Sequence, residues 1–219
     1  RRMLEEPPDA TEPDLFYAWC SRAQNLGRLG QIFDRIGRGE DARICTRSSV
    51  NAAMQSPDSL LSRQLQLNGL AILFTRACDA RDLTTARGLA EEMKEVPPLP
   101  ADDPLNEWIL NSDWRLLVLE GYQKAKEGKS AEARDCFVRC RERCRADLVR
   151  YPGHAMLYHG LALSGFEILK TDLPKLSPAQ VEARIKECHE EIEKAFDPSN
   201  ELNCRFLAIA IEELTISTL

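Results

Sequence analysis

The chain has 219 residues, 43% hydrophobic and 29% charged, with a formal net charge of −6. That is enough apolar mass for a sizeable core, and the acidic balance argues against general nucleic-acid binding. No apolar run approaches the ~18 residues needed to cross a bilayer; the richest, Phe206 to Ile211, is far shorter.

Residues 1–13 are rich in proline and acid and read as a flexible linker. Their basic start, Arg1-Arg2, has no apolar segment behind it, so it does not read as a signal peptide. Residues 14–219 read as one helical domain. A first helix is expected from about Asp14 to Ile36, ended by Gly37-Arg38-Gly39. Its partner runs from about Glu40 to Met54. Ser56-Pro57-Asp58 opens the next pair, serine as N-cap and proline in the first turn. That helix carries Leu60, Leu67, Leu70, Leu73, Phe74 and Ala77. After a turn at Asp79 to Asp82, its partner holds Ala86, Leu89, Ala90 and Met93.

Four prolines within residues 97–104 break the helical pattern and mark a stiff loop or weak subdomain boundary. A third pair follows, about Leu105–Glu127 and Ser130–Arg150, with Ser130 as N-cap. A fourth spans Ala155–Leu169 and Pro178–Phe196 around a loop at Leu173-Pro174. A terminal helix from about Asp197 to Ser217 ends near the last residue with an apolar face uncovered. A repeat left open needs a cap, a partner or more chain, so the segment reads as part of a longer protein or of a complex. No stretch alternates with period two, so no sheet is expected.

Three second helices repeat one phrase with offsets i, i+3, i+4 and i+7, a single helix face. It reads Ala42-Cys45-Thr46-Ser49, Ala86-Leu89-Ala90-Met93 and Ala133-Cys136-Phe137-Cys140; a looser copy is Val181, Ile185, Cys188, Ile192. The first members lie 44, 47 and 48 residues apart, as in stacked helical repeats. The step from Gly30 to Ala42, Phe74 to Ala86 and Gly121 to Ala133 is twelve residues each time.

With these residues the chain resembles tetratricopeptide repeats over roughly residues 14–200. The matching segments are Leu26, Leu29, Gly30 and Phe33 with Ala42; Leu70, Leu73, Phe74 and Ala77 with Ala86; and Leu117 and Gly121 with Ala133. The family's usual repeat is about 34 residues. The surplus must lie between hairpins or in lengthened helices, because the hairpin step itself is kept. The resemblance implies an all-α superhelix, a solenoid of about four helical hairpins plus a terminal helix. It also implies a concave face built from the first helix of each pair. Positions beside the apolar stripes there are Gln24, Gln31, Arg35, Asn68, Thr75, Arg115, Tyr122 and Lys126, which would suit a peptide or helix of some acidic character. Gly27 and Gln31 stand where the chaperone-tail-binding pattern would begin, so chaperone binding is not expected.

The eight cysteines, mostly inside expected helices, read as reduced thiols of a cytoplasmic or nuclear protein. Cys136, Cys140 and Cys144 follow one another by a turn. The third lies about 12 Å from the first along the axis and cannot readily share its metal; by the repeat alignment they fill packing slots. Gly128-Lys129-Ser130 ends like a phosphate-binding loop, but Gln123 replaces the earlier glycine and the region is helical. No Cys/His/Asp set has the spacing of a nucleophile and its base. The run Arg134, Arg139, Arg141, Arg143, Arg145, Arg150 reads as a solvated face paired with Glu132 and Glu142, or as a patch for an acidic or phosphorylated partner. Trp114 shares a stripe with Leu117, Val118 and Gly121 and reads as core. The expected function is a non-catalytic interaction scaffold without cofactor or metal; the alternative is an effector-sensing helical domain of a larger enzyme or transcription regulator.

Overall fold

The structure, a computed structural model, describes residues 12–152 and 154–194. The start of the linker and the expected terminal helix lie outside the described residues. Eight α-helices occur among the described residues, and no strand. They pair as α1 (Glu12–Arg35) with α2 (Gly39–Gln55), α3 (Leu60–Asp79) with α4 (Leu83–Glu95), α5 (Asn106–Lys126) with α6 (Ser130–Arg150), and α7 (Ala155–Asp172) with α8 (Pro178–Lys194). The fold is all-α, and within each unit helices pack on their neighbours in sequence.

Two compact units divide the chain, Arg1–Leu110 and Asn111–Leu219, so the division falls within α5. In the first, α1 packs on α2, α2 on α3 and α3 on α4, and α1 also touches α3. In the second, α6 packs on α7 and α7 on α8. There α5 meets α6 through Trp114, whose carbonyl accepts from the Cys140 thiol at 3.6 Å, and through Gly121 against Phe137.

The constant twelve-residue step has a structural cause: three hairpins share one turn. After α1, the Arg38 N–H reaches back to the Phe33 carbonyl (2.8 Å) and Gly37 N–H to Asp34 (3.0 Å). After α3 the same pair runs from Asp82 to Ala77 and from Arg81 to Cys78, each 2.9 Å; after α5, from Lys129 to Lys124 (2.9 Å) and from Gly128 to Ala125 (3.0 Å). This is the double bond of a Schellman cap, which needs a left-handed residue after the helix. Gly37 (φ 77°), Arg81 (φ 53°) and Gly128 (φ 76°) supply it. The surplus over a 34-residue repeat lies partly in the helices: α1, α3 and α5 have 24, 20 and 21 residues.

Two expected caps are displaced. Ser56 closes α2, its N–H on the Ala53 carbonyl at 3.2 Å. Ser59 is the N-cap of α3, exchanging bonds with Ser62, 3.1 Å in each direction. Ser130 is already helical, and Lys129 holds the N-cap position without a side-chain bond.

The recurring phrase lies in the core. Ala42, Ala86 and Ala133 are buried, as are Leu89 and Cys136, Thr46, Ala90 and Phe137, and Ser49, Met93 and Cys140; Cys45 is half-buried. The polar members are satisfied: the Thr46 hydroxyl donates to the Ala42 carbonyl (2.8 Å) and Ser49 to Ala23 (2.6 Å). Small residues set the approach. A Cβ on Gly121 would lie 2.5 Å from the Phe137 ring, and one on Gly30 2.8 Å from Thr46 Oγ1. In the second copy Phe74 is buried, and the close approach moves to Gly69, where a Cβ would lie 2.5 Å from Val50.

Candidate functional site

The eight expected partner-facing positions divide between the units. Gln24, Gln31 and Arg35 are exposed on one stripe of α1; on α3, Asn68 is exposed and Thr75 half-buried. These five stand on two helices in contact. In the second unit Arg115 and Tyr122 are half-buried on α5 and Lys126 is exposed. Tyr122 is engaged within its own unit: its hydroxyl donates to Glu167 at 3.2 Å and its ring meets Phe137 edge-on at 5.7 Å.

The first unit carries a groove of about 540 Å³ elsewhere, where α2 and α4 flank the end of α3. Leu73, Ala77 and Leu89 form its floor; Asp34, Arg43, Arg47, Arg76, Asp82 and Thr85 stand around it. Each arginine has a carboxylate. Arg76 binds Asp34 at 2.7 Å and the Gly39 carbonyl at 3.2 Å, Arg43 grips Glu40 (2.6 and 2.9 Å), and Arg47 grips Glu92 (2.5 and 3.1 Å). A shallower groove in the second unit, about 480 Å³, lies between α5 and α6, with Leu116 and Leu117 beneath Asp113, Glu120, Arg139, Glu142 and Arg143. None of the eight expected residues lines either groove. Arg43 and Arg47 sit one turn apart next to the buried Ala42 and Thr46. That spacing was readable, but it lies on second helices, while the expectation followed the first.

The arginine run corrects a further expectation. Arg141 is buried, with its side chain 9% exposed, and its Nη2 donates to Glu187 (3.0 Å) and Glu191 (2.7 Å) of α8. Arg145 holds the same two glutamates at 3.3 and 2.8 Å. Arg134 makes a two-pronged pair with Asp172 of α7, both bonds 2.8 Å. Arg143 binds Asp147 of its own helix (2.6 Å) and Asp113 of α5 (3.2 Å). Glu132 pairs with Lys124 instead, at 2.9 Å. Four of the six arginines therefore tie α6 by charge; Arg139, Arg143, Arg145 and Arg150 are exposed, as expected of an outward face, while Arg141 is buried. Apart from Asp147, one turn on from Arg143, the carboxylates involved lie on other helices, so no local spacing announces them.

Cys136, Cys140 and Cys144 are buried on the core side of α6. The hydrogen bond to Cys140 and burial push the Cys144 thiol far up, and burial raises Cys136 and Cys188, so Cys136, Cys144 and Cys188 are not poised as thiolates. Among the described residues no three His, Cys, Asp or Glu side chains converge as a metal would require. No helix among them is long and apolar enough to cross a membrane. Trp114 is core as expected, its Nε1 donating to Asn111 at 3.0 Å and its ring against His159. Burial, with a smaller contribution from Arg115, lowers the His159 pKa to about 4.

Among the described residues, each unit thus offers an apolar-floored groove rimmed by charged side chains. No family model matches the chain, and no solved structure matches it. It is similar to the mouse (Mus musculus) GEM-interacting protein, 25% identical over 175 residues. The match takes in 76% of this chain and 16% of the mouse protein, so the chain spans about a sixth of that relative's length.

Proposed function

We propose that the chain is a non-catalytic, tetratricopeptide-like interaction module that takes a peptide or helix with some acidic character. The observation that carries this reading is one hairpin turn used three times, so that similar hairpins layer within a unit. Repeat arrays use such surfaces for binding. The relative's name supports it, since the mouse protein is described as interacting with GEM. The exposed Arg35 puts positive charge on the proposed first-helix face of the first unit, and the exposed Lys126 with the half-buried Arg115 puts it on that of the second. The test is calorimetric binding of GEM to the wild-type chain and to the Arg35→Glu, Arg115→Glu, Lys126→Glu variant. Binding by the wild type and an affinity about tenfold or more weaker in the variant support the reading, since charge at a rim sets recognition. Equal affinity removes the first-helix face, and no binding by the wild type removes the partner.

The groove of the first unit favours a second reading, an effector-sensing helical domain. Its volume lies in the range of small-ligand sites. A small-molecule thermal-shift screen in which Leu89→Trp abolishes every stabilising hit would support that reading; a screen without hits counts against it.

A further inference from the structure

α8 packs on α7 and meets α6 through charge. Among its described side chains Cys188 is buried, Val181 and Ile185 are half-buried, and the rest of the face toward α6 is ionic. By contrast the shorter α4 buries Ala86, Leu89, Ala90 and Met93. Glu187 and Glu191, one turn apart, take all their bonds to α6 from Arg141 and Arg145, and Arg184 of α8 itself adds a bond to Glu187 at 3.1 Å. Asp172 of α7 is bound to Arg134 and also feels Lys175 of the 3-10 turn and Arg184 of α8.

Two features let α8 move as a unit. It follows the 3-10 turn Leu173–Lys175 and an extended Leu176, a short connection without buried residues. It also caps itself: Ser177 N–H donates to Gln180 Oε1 (2.8 Å) and Gln180 N–H to Ser177 Oγ (3.4 Å), a capping box that uses no group of α6 or α7. The contact with α7 is close, since a Cβ on Gly165 would lie 2.8 Å from Cys188 Sγ.

We propose that α8 is an ionic latch. It leaves α6 and α7 as an intact helix when its ion pairs are screened, while the core around α6 stays folded, and its departure uncovers the Cys188 thiol. Apolar seams do not weaken with salt, whereas the ion pairs of the half-exposed Arg145 do, and those of the buried Arg141 do so less. The footprint it leaves holds Arg141 and Arg145, the cations that the two glutamates now occupy.

Maleimide labelling of the whole chain, read cysteine by cysteine by mass spectrometry, tests this, with Cys140 and Cys144 on α6 as internal reporters of core opening. Cys188 should label about tenfold faster than either, as expected of sub-global opening. Between about 0.1 and 1 M salt, where the screening length falls from ~10 to ~3 Å, its rate should rise about threefold or more while theirs does not. Arg145→Glu, which repels both glutamates, and Gly165→Ala, which wedges against Cys188, should each raise the Cys188 rate alone. Labelling of Cys188 in step with Cys140 and Cys144, or a rate indifferent to salt and to both substitutions, overturns the latch.

Discussion

Arg81 is where one residue carries the most information about the repeat. It stands where the other two turns have glycine, with φ 53° against 77° and 76°. A side chain in this region is strained by roughly 1 kcal/mol, and glycine is not. Arg81→Gly should therefore stabilise the chain by about 0.5–1 kcal/mol, whereas Gly128→Ala should cost about 1 kcal/mol. Urea denaturation of the two variants checks both signs; a loss in both would mean that the Arg81 side chain outweighs its backbone. The small residues of the helices obey a different constraint. Gly121 faces the Phe137 ring, which has packed neighbours behind it, so Gly121→Val should cost about 1–3 kcal/mol through overpacking. Gly37 was legible as a helix stop, and Gly121 through its fixed step to Ala133. The turn type was not, because with Arg81 in place one of its three copies lacks the residue that announces it.

Helices were the most readable level, since a buried face imposes its period on the sequence whatever lies opposite. Their starts were less so. Ser56 and Ser59 are both good caps three residues apart, and which one serves depends on where α2 stops and on whether Ser62 can answer. Ser59→Ala should cost about 1 kcal/mol by loss of the cap, and Lys129→Asp should add about 0.5–1 kcal/mol by supplying one. Asp82 already does this in the middle hairpin, accepting from the Thr85 N–H at 3.0 Å. The arginine run shows the limit of local reading: adjacent charges on one helix look alike until their partners are known. Arg141 and Arg145 touch the same glutamates but differ in burial, 9% against 51% exposed side chains. Removing a buried partner leaves a charge without compensation, so Arg141→Ala should cost about 3 kcal/mol or more, and Arg145→Ala under about 1 kcal/mol. Thermal denaturation of the pair separates the two cases, and equal losses would deny the difference in burial its weight. The candidate surfaces were legible only in part, because a groove between second helices depends on how hairpins layer, which no single helix records.

At the scale of the whole molecule, acid should act in two steps with distinct causes. His159 is neutral when folded down to about pH 4, while the unfolded chain takes up its proton near the ordinary value of 6.5. The folded pKa is the lower one, so this contribution is complete above 6.5 and is lost as pH falls toward 4; for a ring not wholly buried it amounts to about 1–2 kcal/mol. The carboxylates follow. The Arg134 hydrogen bond lowers Asp172, and at Glu187 the arginines Arg141, Arg184 and Arg145 together outweigh the upward push of burial. Their folded pKa values are also depressed, so they stabilise above the ordinary carboxylate range and cease to do so as pH falls through it. Urea midpoints between about pH 7 and 3 should thus fall first in a step that His159→Phe removes, then in a second that the substitution leaves in place. Persistence of the upper step in His159→Phe would assign it to another group. A second step unchanged in an Arg134→Gln, Arg145→Gln variant would mean that the clamps on α6 contribute nothing to acid stability.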